Sequence, residues 1–109
     1  MEKLDGGEIE RRLARLPGWE RRGEEIRKSY TFPAFSAALD FVARVGERAE
    51  AADHHPDMDI RYTRVDVALS THSAGGLTEK DFALAAEIEA LGQKATGGME
   101  ESTGGNPLV

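Results

Sequence analysis

The sequence predicts a single α+β domain in which a four-stranded antiparallel sheet carries helices on one face, in the order α-β-β-α-β-β-α. Three observations lead to this fold class. Apolar residues recur at helical spacing in three segments of the chain, and they alternate with polar residues in four segments between these helices. The alternating segments come in pairs, each joined by a turn short enough for a hairpin. At 109 residues the chain has room for one such domain, which we expect over residues 1–95.

The first predicted helix begins after Asp5, which can cap the helix N-terminus and has Glu8 three residues later, the spacing of a capping box. Pro17-Gly18 is expected to end this helix, whose apolar stripe consists of Ile9, Leu13 and Leu16. The following residues, 19–32, alternate as a hairpin with its turn at Arg22-Gly23. One face of that hairpin carries Ile26, Tyr30 and Phe32.

Pro33 is predicted to open a long second helix at its first turn, where its missing N–H costs nothing, and the helix runs to about Ala52. The helix has two apolar stripes: Phe35, Leu39, Val42 and Ala49 form the first, and Ala34, Ala38, Phe41 and Val45 form the second. One stripe should cover the sheet, while the other either widens that contact or meets a partner helix. We expect the second stripe, with Phe41 and Val45, to pack against another subunit, and an exposed sheet edge to pair with its mate.

The rest of the chain predicts a second hairpin and a third helix. After His54-His55-Pro56 the pattern has a period of two, with a turn at Thr63-Arg64. The alternating apolar positions are Met58, Ile60 and Tyr62, then Val65, Val67 and Leu69. Thr78 and Asp81 stand at capping positions of the last helix, whose buried stripe is Leu84, Ile88 and Leu91. From residue 96 the chain is rich in glycine and polar residues, so we expect residues 96–109 to form a flexible tail.

Composition excludes several classes of function. Fourteen basic residues against 20 acidic ones give a net charge of −6, which opposes general attraction to phosphates, so we expect no direct nucleic-acid partner. The absence of cysteine excludes disulfide scaffolds, thiolate zinc sites and thiol nucleophiles. No apolar run is long enough to span a bilayer, and the first residues lack the pattern of an export signal. We therefore expect no membrane partner and a cytoplasmic location.

All three histidines fall in two loops, His54 and His55 after the second helix and His72 after the last strand. Histidine titrates close to neutral pH, so it serves easily as both acid and base in one turnover. Three other interpretations stay open. In the first, His54 and His55 cap the C-terminus of the second helix and have no role in catalysis. Two imidazoles could bind a metal with Asp53, Asp57 or Asp59, although adjacent histidines tend to diverge. One hydroxyl among Ser70, Thr71 and Ser73 could be a nucleophile beside His72, although no third orienting group is evident.

One long motif connects these loops. It runs from Glu50 through Asp53-His54-His55-Pro56 to Tyr62, and then to His72 and Asp81. This motif resembles the signature of the pterin-4a-carbinolamine dehydratase family, which has a charged residue, three positions, His-His-Pro, an aromatic, nine positions, His and a later Asp. The residues around His72 are also similar to the family, and the likeness extends over about residues 19–91.

The resemblance implies a dehydratase that removes water from 4a-hydroxytetrahydrobiopterin to give quinonoid dihydrobiopterin in pterin recycling, with no metal and no organic cofactor. It implies His54 and His72 as the acid/base pair, with His55 as the third histidine of the active site. The residues expected to bind and position the pterin are Asp53, His54, His55, Pro56, Ser70, Thr71, His72 and Ser73. The resemblance also implies a homodimer or a homotetramer.

The same family suggests an alternative function. Some relatives act as binding proteins instead, as a dimerisation cofactor of a transcription factor or as assembly factors for a carbon-fixing enzyme. Several of these relatives lose catalytic histidines, whereas this chain keeps all three, which favours the enzyme. Two positions depart from the family pattern: Met58 stands where the family often has Trp, and Lys80 where it often has Arg. Met58 would weaken stacking on a pterin, and Lys is a poorer planar fork for an anion.

Overall fold

The computed structural model describes residues 2–101, with side chains described for residues 2–93. Its elements are α1 (Gly6–Leu13), β1 (Glu20–Arg22), β2 (Glu25–Thr31), α2 (Phe35–Ala52), β3 (Asp57–Arg61), β4 (Arg64–Leu69) and α3 (Glu79–Glu101). A single 3₁₀ turn, His72–Ala74, lies between β4 and α3. The predicted order α-β-β-α-β-β-α and the α+β class are therefore confirmed. Within the described residues, no helix is both long and apolar enough to cross a membrane.

The four strands form one antiparallel sheet in the order β1-β2-β4-β3. β2 and β4 are central, and their register pairs Ile26 with Leu69 and Tyr30 with Val65. Because directly opposed residues of an antiparallel pair share one face, these side chains all point towards the helices. The strand residues buried on this face are Ile26, Tyr30, Val65, Val67 and Leu69. The central strands β2 and β4 thus alternate as predicted, whereas the edge strands β1 and β3 are mostly exposed. The first hairpin turns at Gly23-Glu24, one residue later than predicted.

α1 begins as predicted but ends earlier. The Asp5 carboxylate accepts a hydrogen bond of 2.8 Å from the Glu8 backbone N–H, so Asp5 is the N-cap. The helix stops at Leu13 instead of continuing to Pro17-Gly18. The chain then forms a tighter, 3₁₀-type turn, in which the N–H of Leu16 donates to the carbonyl of Leu13 at 2.9 Å. Leu16 is still buried, so the end of the apolar stripe joins the core from a turn.

α2 differs from the prediction at its start and in its buried face. Its N-cap is Ala34, so Pro33 precedes the helix and does not form its first turn. The buried residues of α2 are Ala38, Phe41, Val45 and Ala49. The expectation that Phe41 and Val45 meet another subunit is therefore wrong, because this stripe covers the chain's own sheet. The Phe41 ring lies 5.0 Å from that of Tyr30 and 4.9 Å from that of Phe32, centroid to centroid. The side of α2 that stays exposed carries Phe35 and Leu39, which are 46% and 43% exposed.

The second hairpin turns one residue earlier than predicted. Arg61 pairs with Arg64, so the loop consists of Tyr62 and Thr63 instead of Thr63 and Arg64. Tyr62 has φ 55°, a left-handed conformation that is uncommon for residues other than glycine. The loop contains no Asn or Gly that would have marked this position in the sequence. β3 is an edge strand with little burial, and its Ile60 is 39% exposed.

α3 has the predicted N-terminus and a longer extent. The Thr78 hydroxyl accepts from the Lys80 N–H at 3.2 Å, and Asp81 accepts from the Thr78 N–H at 2.9 Å, which completes the capping box. Leu84 and Ile88 are buried as expected, and Leu91 is half-buried. The helix continues to Glu101, past the point at residue 96 where the tail was expected to begin. Residues 102–109 of that expected tail lie outside the described residues.

A buried carboxylate connects α3 to the sheet. Glu89 accepts hydrogen bonds from the Trp19 indole at 3.1 Å, from the Tyr30 hydroxyl at 2.5 Å and from the Lys28 ammonium at 2.8 and 2.9 Å. The Gln93 amide donates to the same carboxylate at 2.9 Å. A buried charge costs folding free energy unless it is paired and hydrogen-bonded, and Glu89 has both kinds of partner. This cluster fixes the position of α3 on the sheet, and with it the N-terminus of α3 beside the histidine loops.

Candidate functional site

The two histidine loops converge because α2 ends in a left-handed residue. Asp53 has φ 52° and ψ 44°, and the His54 N–H donates to the Ala49 carbonyl at 3.1 Å. This bond is typical of a Schellman motif. The left-handed residue of that motif is usually glycine, but Asp and Asn also adopt this conformation, and here it is Asp53. The reversal directs His54 and His55 away from the helix axis. On the other side, β4 ends at Leu69 and the chain enters the 3₁₀ turn that begins with His72.

A cleft of ≈ 380 Å³ lies between these loops. Its lining residues are Asp53, His54, His55, Ser70, Thr71, His72, Ser73 and Lys80. Of the residues expected to bind or act on a substrate, the cleft therefore brings together all except Pro56, which is half-buried and does not line it. The cleft adds Lys80, which the sequence had marked only as a departure from a family pattern.

His54 is the most constrained of the three histidines. Its side chain is 10% exposed, and its Nε2 lies 2.6 Å from Oδ1 of Asp81, which is 0% exposed. The other oxygen of Asp81, Oδ2, accepts from the Thr71 hydroxyl at 2.7 Å and from the Thr78 N–H at 2.9 Å. Asp81 therefore caps α3 with one oxygen and contacts a cleft histidine with the other.

His55 and His72 have more exposed environments. His55 has a different partner from His54: its Nε2 lies 2.6 Å from the Glu50 carboxylate at the surface. The His72 imidazole is exposed and makes no hydrogen bond with any side chain or backbone group of the part of the chain that the structure describes. The cleft thus contains one fixed imidazole and one imidazole that is open to solvent.

The rival interpretations find little geometric support. The Ser70 hydroxyl donates to the Glu24 carbonyl at 2.7 Å and the Thr71 hydroxyl to Asp81, so neither is paired with His72 as its base. Over residues 2–93, no group of three or more His, Asp or Glu side chains converges closely enough to hold a metal ion. His54 and His55 do follow the C-terminus of α2, but their imidazoles bond to carboxylates and not to the last carbonyls of the helix.

Asp81 is the site residue that sequence reasoning missed. The sequence predicts it as a capping residue and as the last residue of the motif, but not as a residue that acts in the site; its bond to the Thr78 N–H confirms the cap. The signal that could have marked it is its position in the motif, as an acidic residue nine positions after His72. Another cleft of the described surface, ≈ 460 Å³, lies elsewhere and is lined by no histidine. Its basic residues are all paired with carboxylates: Arg22, Arg27, Lys28 and Arg64.

Comparison with known proteins gives a consistent result. The sequence model of the family described as "Pterin 4 alpha carbinolamine dehydratase" matches residues 2–91. A protein of Roseiflexus castenholzii named "Putative pterin-4-alpha-carbinolamine dehydratase" is 56% identical over 88 residues, which is 81% of this chain and 95% of that protein. A protein of the same name from Acidobacterium capsulatum is 56% identical over 91 residues, covering 84% of this chain and 99% of the relative.

The fold of this chain is similar to that of two solved structures. A transcriptional coactivator/pterin dehydratase from Brucella melitensis superimposes with a TM-score of 0.81 at 39% sequence identity, covering 84% of this chain and 99% of the other. A pterin dehydratase-like protein described as a RuBisCO assembly factor in the alpha-carboxysome has a TM-score of 0.60 at 23% identity, covering 69% of this chain and 89% of the other. The second likeness concerns the fold alone.

Proposed function

The chain belongs to the pterin 4 alpha carbinolamine dehydratase family, and we propose that it removes water from 4a-hydroxytetrahydrobiopterin to give quinonoid dihydrobiopterin, in pterin recycling. The observation that carries this proposal is that His54 and His72, from loops separated by two strands, line the same cleft. The three histidines of the motif are all retained, which supports an enzyme over a protein that only binds a partner.

The chemistry requires two proton transfers and no redox step. The hydroxyl on C4a must gain a proton to leave as water, and N5 must lose its proton so that its electron pair can form the N5=C4a bond. Two side chains that titrate near neutral pH can perform both transfers on one flat ring. We assign the two transfers to His54 and His72 of the cleft, because Asp81 fixes the first imidazole and the second is open to solvent, whereas His55 is bonded to Glu50 at the surface.

The remaining cleft residues are proposed to position the pterin. Asp53, His55 and Ser73 are exposed along the cleft, where their polar groups can reach a heterocycle with several donors and acceptors. The hydroxyls of Ser70 and Thr71 are already bonded to the Glu24 carbonyl and to Asp81, so these residues support the walls of the cleft. Pro56 contributes through the shape of the loop after His55.

We also propose that the protein works as a homodimer or homotetramer, through a surface other than the stripe with Phe41 and Val45. The exposed large apolar side chains of the described chain are Phe35, Leu39, Ile60 and Tyr62. The Phe35 and Tyr62 rings stack with centroids 6.3 Å apart, next to the unpaired edge of β3. An edge strand beside exposed apolar side chains favours pairing with a second copy.

The proposed activity is tested by adding purified protein to freshly generated 4a-carbinolamine and following the formation of the quinonoid product. We expect acceleration over the uncatalysed reaction without added metal and with no change on adding EDTA. The matched control is the double variant His54→Ala/His72→Ala, with its folding checked by circular dichroism. A correctly folded wild-type protein that gives no acceleration would overturn the proposal and favour the binding function. Activity that EDTA abolishes and zinc or iron restores would favour a metal site.

A further inference from the structure

Asp81 uses its two oxygens for different tasks. Oδ2 accepts the Thr78 N–H and the Thr71 hydroxyl, and these two bonds are sufficient for the helix cap. Oδ1 is not needed for the cap and lies 2.6 Å from Nε2 of His54. We propose that Asp81 is a positioning residue that holds His54 in the Nε2–H tautomer, so that Nδ1 is the atom that takes the proton from the substrate. This inference rests on the proposed function for its catalytic part.

The direction of each hydrogen bond around Asp81 follows from which of the neighbouring groups carry a proton to donate. The Thr78 hydroxyl lies 2.8 Å from that of Thr71 and can donate to it, while the Thr71 hydroxyl donates to Asp81. Asp81 is therefore an acceptor at Oδ2, and a carboxylate accepts at both of its oxygens. The short contact with His54 then requires Nε2 to be the donor. A neutral imidazole carries one N–H, so its proton lies on Nε2 and the lone pair lies on Nδ1.

The surroundings leave Nδ1 available. No group of the described chain hydrogen-bonds to Nδ1 of His54, and the side chain lines the cleft with 10% of its surface exposed. When Nδ1 accepts a proton, the resulting imidazolium contacts the buried Asp81 carboxylate, which stabilises the positive charge. A buried acidic group that orients a histidine and stabilises its charged form has this same function in the Ser-His-Asp triad.

The two histidines then take different roles. Nδ1 of His54 takes the N5 proton, the electrons of the N5–H bond form the N5=C4a bond, and the C4a–O bond breaks. The leaving hydroxyl takes a proton from the protonated His72 and departs as water. His72 is exposed and without a hydrogen-bond partner in the described chain, so solvent can restore its proton. The His54 side chain is 10% exposed and lines the cleft, so water in the cleft can take the proton from its Nδ1 after the product leaves. His54 is therefore the base and His72 the acid.

The variant Asp81→Asn separates this role from the helix cap. An Asn amide oxygen can still accept from the Thr78 N–H and the Thr71 hydroxyl, so the cap is kept. Its NH₂ group then faces Nε2 as a donor, which forces the proton of His54 onto Nδ1 and blocks the base. The same change in a serine-protease triad lowers kcat by about 10⁴ with the geometry intact. The matched control is Asp5→Asn, because Asp5 is also a helix-capping carboxylate but lies outside the cleft.

The experiment is ¹⁵N NMR of the histidine side chains, which reports the tautomer without any assay, combined with steady-state kinetics. We expect the Nε2–H tautomer for His54 in the wild type and in Asp5→Asn, and the Nδ1–H tautomer in Asp81→Asn. We expect kcat to fall by about 10²–10⁴ in Asp81→Asn with KM largely unchanged, the range for a lost general base, and Asp5→Asn to keep the wild-type kcat.

Two results would overturn the inference. One is a wild-type His54 in the Nδ1–H form, which decides the question even if Asp81→Asn fails to fold. The other is a folded Asp81→Asn variant with the wild-type kcat. A wild type with the expected His54 tautomer and no dehydratase activity would instead overturn the proposed function. The inference that Asp81 fixes the tautomer of His54 would stand.

Discussion

The Tyr30 hydroxyl on the central strand β2 lies 2.5 Å from the Glu89 carboxylate on α3, and both residues are buried. Burial acts to raise the pKa of Glu89, but hydrogen bonds from Lys28 and Tyr30 outweigh it and hold that pKa below its ordinary value of 4.5. Burial and the bond to Glu89 raise the pKa of Tyr30, so its hydroxyl stays a donor at all ordinary pH values. This contact makes the stability of the fold depend on the charge of one carboxylate.

The first prediction concerns acid stability. A carboxyl group whose pKa is lower in the folded state stabilises that state above its unfolded pKa, and the contribution is lost as the pH falls through the folded pKa. We therefore expect the wild type to lose stability on acidification below pH 4.5, the ordinary value for Glu89, and Glu89→Gln to lose less over the same range. Melting temperatures measured from neutral to acidic pH test this.

The control for this prediction is Glu87→Gln, because Glu87 is an exposed glutamate of the same helix that lies 4.0 Å from Arg48. This variant should follow the wild-type curve, since an exposed ion pair contributes little to stability. If Glu89→Gln and the wild type lost stability in parallel, the Glu89 carboxylate would not be the group responsible.

The second prediction concerns the close contact of α3 with β2. A Cβ at Gly92 would overlap the Tyr30 ring, whereas a Cβ at Gly46 of α2 would meet nothing within 4 Å. Gly92→Ala should therefore lower the free energy of unfolding by about 1–3 kcal/mol, the usual cost of overpacking a core. Gly46→Ala should raise it by up to about 1 kcal/mol, because Ala is the better helix former. Urea denaturation of both variants tests this, and equal effects would contradict the close packing of Tyr30 on Gly92.

The third prediction separates the three histidines by kinetics. His54→Ala and His72→Ala should each lower kcat by about 10²–10⁴, although the uncatalysed reaction will make the losses look smaller. His55 is exposed and bonded to Glu50, so His55→Ala should chiefly raise KM, as expected when binding is lost equally in ground and transition states. The double variant His54→Ala/His72→Ala should fall to the uncatalysed rate. The assignment is wrong if His55→Ala alone abolishes kcat while the other single variants resemble the wild type.

The fourth prediction concerns assembly. Leu39→Glu and Ile60→Lys put charges on the exposed apolar surface and the β3 edge, so each should lower the mass measured by light scattering and leave the circular dichroism spectrum intact. Phe41→Glu should instead unfold the chain, because Phe41 is buried in its own core. The control is Glu10→Lys, an equally drastic charge change at an exposed position of α1. A wild type that is strictly monomeric at micromolar concentration would refute the proposed surface.

The sequence by itself determined the elements and their order. Asp5, Thr78 and Asp81 cap their helices as predicted, because a cap bonds to a backbone group only two or three residues away. The alternation in β2 and β4 predicted which side chains are buried, since the period of a strand fixes its two faces. The motif also indicated the residues of the cleft, although their separate roles stay predictions.

The tertiary structure alone decided which side of α2 faces the core. Both stripes are apolar, and the choice depends on the shape of the sheet: Phe41 finds Tyr30 and Phe32 there, while Phe35 and Leu39 find no such surface. The contact between His54 and Asp81 in the cleft is equally non-local, since the two residues are 27 apart in the sequence. The contact between Lys28 and Glu89, which holds α3 on the sheet, joins residues that are 61 apart. Such pairs form only when packing brings distant elements together, and no local pattern in the sequence encodes the distance between two side chains.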